Sequence, residues 1–218
     1  MKKKHVLLII GLIVIADQAL KIYVKTHFHP NESHPVLGHW FQLYFIENAG
    51  MAYGWKFGGG LGKIALTLFR LAAVIFGIFY VRKIVEKKFP AGYIFCVALV
   101  FAGALGNLLD SLFYGLIFDK SSFNTDEVAS IFPAHGYGTF LHGNVVDMIY
   151  LLFFDIKRIP EWIPFFGGKE FSFFNYVFNI ADASVSIGVL GILLFRKRFF
   201  RDGSKNNGLK NALQFDNN

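Results

Sequence analysis

Four runs of nearly uninterrupted apolar residues, about His5–Val24, Gly62–Val81, Gly92–Leu112 and Tyr176–Phe195, alternate with polar stretches along the chain. Each approaches the roughly 20 residues a helix needs to cross the hydrocarbon core of a bilayer, so the pattern predicts four transmembrane helices. Two long connections separate them, about 25–61 and 113–175. The first contains Trp40–Ile46, whose aromatic and β-branched residues predict a strand, followed by Glu47-Asn48-Ala49-Gly50 as a turn. A small sheet at the membrane surface would accommodate it. The second holds the polar stretch Asp119–Glu127 and then Val145–Phe154, apolar but too short to span, which predicts a buried or interfacial helix. The Pro-bounded segment Ile156–Phe166 suits the headgroup layer, with Trp162 as its anchor. The fold class expected is an all-α membrane protein: a four-transmembrane-helix bundle with a small extracytoplasmic β-sheet and an interfacial helix. It forms one integral-membrane domain over residues 1–218, with a tail at about 196–218.

Composition agrees, since 54% of residues are hydrophobic, 18% aromatic and only 17% charged. The net charge of +7 could suggest a nucleic-acid partner, but the basic residues cluster beside the apolar runs rather than along one polar face. No nucleic-acid partner is expected. Lys2, Lys3 and Lys4 precede the first run; Arg82, Lys83, Lys87 and Lys88 join the second to the third; Arg196, Lys197, Arg198 and Arg201 follow the fourth. The positive-inside rule then puts both termini in the cytoplasm and both long connections outside. The opening run also has the basic and apolar regions of a cleavable signal peptide, but no small-x-small site follows it cleanly, and it is read as the first span. The single cysteine, Cys96, lies in an apolar run and is assigned to packing.

The polar residues inside apolar segments are the candidates for chemistry. On the predicted topology Asp17, Gln18 and Lys21, then Asn107 and Asp110, then Asn179 and Asp182 all fall near the outer ends of their helices. Asp17 and Lys21 are spaced i,i+4, Asn107 and Asp110 i,i+3, and Asn179, Asp182 and Ser186 share a face. This predicts a polar pocket opening outward; interhelical hydrogen bonds and snorkelling side chains give the competing structural account. Asp147 and Asp182 stand apart because neither has a basic neighbour within a helical turn, and an Asp near mid-membrane costs roughly 2.5–3.5 kcal/mol on insertion scales. Two such residues suggest acid/base chemistry. Arg70, inside the second run, needs a partner or a water path: either a cationic contact near the site or a structural pair with Asp17 or Asp110. His135 and His142 lack a carboxylate at ligand spacing, and no metal or other cofactor is expected. Ser111, Ser184 and Ser186 lack a nearby His or Lys in sequence, which disfavours a covalent mechanism.

The segments ADQALK, ENAGMAYG, GALGNLLDSLFYG, VVDMI and FNIADASVSIG, in that order, closely resemble lipoprotein signal peptidase, also called signal peptidase II, over nearly the whole chain. The resemblance implies an aspartic endopeptidase of the bacterial inner membrane with Asp147 and Asp182 as its catalytic pair. It also implies supporting or substrate-binding roles for Asp17, Lys21, Asn48, Asn107, Asp110 and Asn179. Its substrate would be a prolipoprotein whose cysteine carries diacylglycerol, cut just before that cysteine, with membrane lipids as surroundings and a monomer as the working form. The chain departs from the family pattern at Ser111, where arginine is usual, and the stretch between Asp110 and Asp147 is longer than that pattern, consistent with an insertion near the substrate entrance. Two other classes compete: a small proton-coupled transporter, against which stand the absence of an inverted repeat and the polar groups gathered at one face, and a non-catalytic lipid-binding protein. Asn48, Asn107 and Asn179 suit fixing carboxylates or peptide backbone, because an amide offers donors and an acceptor without charge. Gly50, Gly54, Gly103 and Gly106 are assigned mainly to close packing.

Overall fold

A computed structural model of the chain describes residues 1–50, 59–121, 128–152, 154–156, 161–162, 168, 171–173 and 176–199. Among the described residues, three helices are long and apolar enough to cross a membrane: α1 (Lys3–His27), α2 (Gly59–Glu86) and α3 (Ala91–Ile117). At 1.5 Å per residue, each exceeds the roughly 30 Å of bilayer hydrocarbon. Large apolar side chains stand exposed along them, among them Leu8, Leu12 and Ile15 on α1 and Phe69, Phe76 and Phe79 on α2. Such surfaces suit contact with lipid. α2 ends in a Schellman motif, with Phe89 N bonded to Ile84 O at 3.0 Å and Lys88 N to Val85 O at 3.1 Å, and Lys88 takes the left-handed position at φ 54°. Pro90 then opens the entry to α3.

The fourth apolar run behaves differently from expectation. Val177–Phe178 form strand β6, and helix α4 covers only Ile180–Leu194, 15 residues. The early part of the run is captured by the sheet because Val177 and Phe178 pair with Tyr150 and Ile149. The segment Val145–Phe154 also departs from the predicted helix: Val145–Leu151 is strand β3, and β4 starts at Phe154. β3 is an inner strand of an antiparallel sheet ordered β1 (Ser33–Leu37), β2 (Phe41–Asn48), β3, β6, and its consecutive residues Val145–Met148 are all buried, so both faces are covered there and the sequence shows an apolar run in place of alternation. β4 (Phe154–Ile156) pairs with β5 (Phe171–Phe173) in a separate two-stranded ribbon. The predicted strand Trp40–Ile46 is present but extends to Asn48, so Glu47 and Asn48 belong to β2 rather than to the turn. Residues 51–58, which include Gly54, residues 122–127, most of Ile156–Phe166 and the tail from 200 lie outside the described residues.

The chain divides into two compact units. The first comprises Met1–Gln18, Ile64–Leu109 and the described residues from Ile180 on. Its core contains Val6, Ile10, Ile84, Tyr93, Ile94, Cys96, Ala98 and Ala102, which confirms Cys96 as a packing residue. The second comprises Ala19–Lys63 and Asp110–Asn179, and its core joins Val24, Phe28, Phe45, Tyr114, Phe118, Val146 and Met148.

Candidate active site

In the second unit, Asp147 sits on β3 opposite Ile46 of β2, and Asn48 pairs with Val145 two positions along, so Asn48 and Asp147 share one face of the ladder. Asn179 Nδ2 donates to Asp147 Oδ1 at 2.6 Å and to Val146 O at 3.3 Å. Asn48 Nδ2 approaches the other oxygen, Asp147 Oδ2, at 3.5 Å, while its own Oδ1 accepts from Gly50 N at 2.9 Å. That local turn, with Gly50 at φ 96°, orients the Asn48 amide toward the carboxylate. Asp147 is thus a nearly buried carboxylate, 6% exposed, flanked by two uncharged amides.

In the first unit, Asp182 is the third residue of α4 and half-buried, in the turn where unpaired backbone N–H groups favour negative charge. Asn107 Nδ2 donates to Asp182 Oδ1 at 2.7 Å. Asp17, fully buried, accepts from Ala181 N at 2.9 Å and so caps the start of α4. Gln18 Nε2 donates to Asp17 Oδ2 at 3.3 Å and to Gly106 O at 3.2 Å. Two glycines of α3 permit this approach: a Cβ on Gly106 would lie 2.8 Å from Asp17 Oδ2, and one on Gly103 would lie 2.2 Å from Ala181 O. Packing is therefore their role.

Two buried ion pairs complete the second unit. Lys21 Nζ lies 2.7 Å from Asp110 Oδ2, both side chains fully buried, and that same oxygen receives Val146 N at 3.4 Å, one residue before Asp147. Lys25, also fully buried, pairs with Glu47. Burial alone would push the Glu47 carboxyl up, but the Lys25 ammonium and hydrogen bonds from Lys25, Asn144 and Ser121 together hold it below the ordinary glutamate value. Burial pushes the Tyr137 hydroxyl up, reinforced by the nearby Glu47 and Asp110 carboxylates against the hydrogen bond from Asn144 N. Among the described residues no buried side-chain nitrogen or oxygen lacks a hydrogen-bond partner.

The family model described as Signal peptidase (SPase) II matches residues 9–198. The chain belongs to the signal peptidase II family. It is 42% identical to the lipoprotein signal peptidase of Porphyromonas gingivalis over 93% of this chain and 88% of that one. It is 30% identical to the lipoprotein signal peptidase of Amoebophilus asiaticus, over 85% and 75% of the respective chains. Two solved bacterial membrane enzymes share its fold, at TM-scores of 0.55 and 0.57 with 24% and 23% identity, covering 90% and 88% of this chain and 90% and 92% of theirs. A signal peptidase II is a membrane-embedded protease, and the apolar helix surfaces of this chain agree with that setting.

Among the residues singled out in the sequence of this signal peptidase II, the structure joins Asn48 and Asn179 to Asp147, Asn107 to Asp182, and Lys21 to Asp110. Arg70 is half-buried on α2. Ser111 is buried on α3, and its carbonyl accepts from Gly143 N at 3.0 Å. The structure adds Lys25, Glu47 and Asn144 to the residues that the sequence singles out. The first connection is expected from about residue 25, but α1 continues through His27, which places Lys25 on the helix four residues beyond Lys21. The recurrence of Asp17, Lys21 and Lys25 at intervals of four along one helix face was the available signal.

Proposed function

We propose that this protein removes the signal peptide from prolipoproteins bearing a diacylglyceryl-modified cysteine, using Asp147 and Asp182 as a catalytic pair. The observation that carries the reading is the matched treatment of the two carboxylates. Each is held at under 3 Å by the amide of an asparagine, Asn179 for Asp147 and Asn107 for Asp182. A neutral amide fixes a carboxyl in either protonation state, as acid/base work requires.

In the mechanism, one carboxylate takes a proton from water while the other, protonated, polarises the scissile carbonyl. Two carboxyls working on one water share a single proton because they do not both ionise cheaply, and the pair titrates jointly. Water attacks the carbonyl carbon, the tetrahedral intermediate collapses, and the proton passes to the departing amine; no acyl-enzyme forms. Asp110 with Lys21 and Asp17 at the α4 cap support the strand and helix that bear the pair. Arg70 offers a cationic contact. The basic clusters at Lys2–Lys4, Arg82–Lys88 and Arg196–Arg198 favour both termini in the cytoplasm and a reaction near the outer face, with α4 as the fourth membrane element.

The test is purified protein in detergent given two versions of one precursor, with and without diacylglycerol on the cysteine. Cleavage before the cysteine of the lipidated form alone is expected. Equal cleavage of both would remove the lipid from the recognition.

A further inference from the structure

We propose that Glu47 is a positioning residue for Asp147, acting through Asn48 from the opposite face of β2. This inference rests on the role proposed above for Asp147. Glu47 pairs with Val146 in the ladder, so its side chain points away from the face that carries Asn48 and Asp147. Both of its oxygens are engaged. Oε1 receives Lys25 Nζ and Ser121 Oγ, the latter at 2.9 Å, and Oε2 receives Asn144 Nδ2 at 2.7 Å. Lys25 is fixed in turn, donating to Ser121 Oγ at 3.0 Å and lying 5.1–5.8 Å from the ring centres of Phe45, Phe118 and Tyr137.

The carboxylate thereby ties three pieces of backbone together: α1 through Lys25, β2 through its own position, and the entry to β3 through Asn144. Asn144 precedes Val145, the strand partner of Asn48. Its backbone N–H donates to Tyr137 Oη at 2.6 Å, and its Oδ1 accepts from Lys63. The segment leading to it is strapped to the end of α3 by Gly138 N to Gly115 O at 2.9 Å and Gly143 N to Ser111 O at 3.0 Å. A Cβ on Gly143 would come within 1.9 Å of Asp110 O, so the strap lies directly on the helix backbone. The long stretch between Asp110 and Asp147 therefore delivers Asn144 to Glu47. The Asn48–Asp147 contact is itself long, at 3.5 Å, so small shifts of β2 against β3 decide whether it is made.

The experiment neutralises the pair together, as Glu47→Gln/Lys25→Met, because removing one charge alone strands the other in the interior. In the full-length protein the double variant is expected to lower kcat on a lipidated precursor by about tenfold or more with KM within about twofold, since misplacement by an ångström costs up to about 100-fold. Added to Asn48→Ala, it should cause no further loss, because both act through one contact. A purely structural role would lower the melting temperature and leave kcat per folded molecule unchanged. Wild-type kcat, or losses that multiply with Asn48→Ala, would overturn the proposal. Asn144→Ala removes one clamp without stranding a charge and serves if the double variant fails to insert: a normal kcat there is equally contrary. Asp147→Asn run alongside separates the two levels, since its activity would refute the role of Asp147 itself, while its inactivity beside a normal double variant would refute only that of Glu47.

Discussion

Asn179 donates to Asp147 Oδ1 at 2.6 Å from the position immediately before α4, so the residue that leads into the helix carrying Asp182 also fixes the other aspartate. Asn179→Ala should lower kcat by about 10- to 100-fold with a smaller change in KM, because the carboxylate loses a short hydrogen bond and its geometry. Steady-state kinetics on a lipidated precursor decide it. A rise in KM alone would assign Asn179 to substrate binding instead.

Asn107 holds Asp182 at 2.7 Å in the same manner. Asn107→Leu, close in volume but without the amide, should reduce kcat comparably while the protein still inserts and melts within a few degrees of wild type. Asn107→Asp should be worse, since a second carboxylate at that distance disfavours ionisation of either.

Lys21 and Asp110 form a fully buried ion pair at 2.7 Å. Lys21→Met leaves the Asp110 carboxylate without its cation and should destabilise the fold by about 3–5 kcal/mol, whereas Lys21→Met/Asp110→Asn should recover much of that loss. Thermal unfolding in detergent distinguishes them. Equal loss in both variants would show that the charge pair is not the source.

The helices and the identity of their polar residues were legible because apolar runs of spanning length have few alternatives and a buried Asp is conspicuous in them. Val145–Leu151 was not legible as a strand. Its seven residues, the first four of them buried on both faces, show neither helical nor alternating periodicity, and only pairing with β2 and β6 decides their form. Val177–Phe178 were missed for the same reason, being one edge of that sheet within an apolar run continuous with α4. The i,i+3 and i,i+4 spacings located Asp17, Lys21, Asn107 and Asp110 on their faces but not their partners. Asp17 caps α4 and Lys21 meets Asp110, contacts between segments far apart in sequence that spacing does not encode.

Gly103→Ala should destabilise the protein by about 1–3 kcal/mol, because its Cβ would meet the carbonyl oxygen of Ala181 at 2.2 Å and backbone does not rotate aside. Gly11→Ala, where nothing lies within 4 Å of the added carbon, is the control expected to be neutral or slightly stabilising. Melting temperatures of the two variants provide the comparison.

Acid should weaken the Glu47 clamp. Its carboxyl is held below the ordinary glutamate value of 4.5, so the stability it contributes is fully present above that value and is lost as pH falls through the lower folded-state value. The difference in melting temperature between wild type and Glu47→Gln/Lys25→Met should therefore be constant from neutral pH down to about 4.5 and shrink below it. A difference independent of pH throughout the acid range would mean that the charge on Glu47 contributes nothing.

The most direct measurement is the turnover of Asp147→Asn and Asp182→Asn, made separately, on a diacylglyceryl-modified precursor, with membrane insertion and melting temperature checked for each. Loss of turnover by at least about 1,000-fold in both, with the fold intact, is predicted, since each carboxyl is indispensable to moving the shared proton. Near-normal turnover by either stably inserted variant would contradict the catalytic pair.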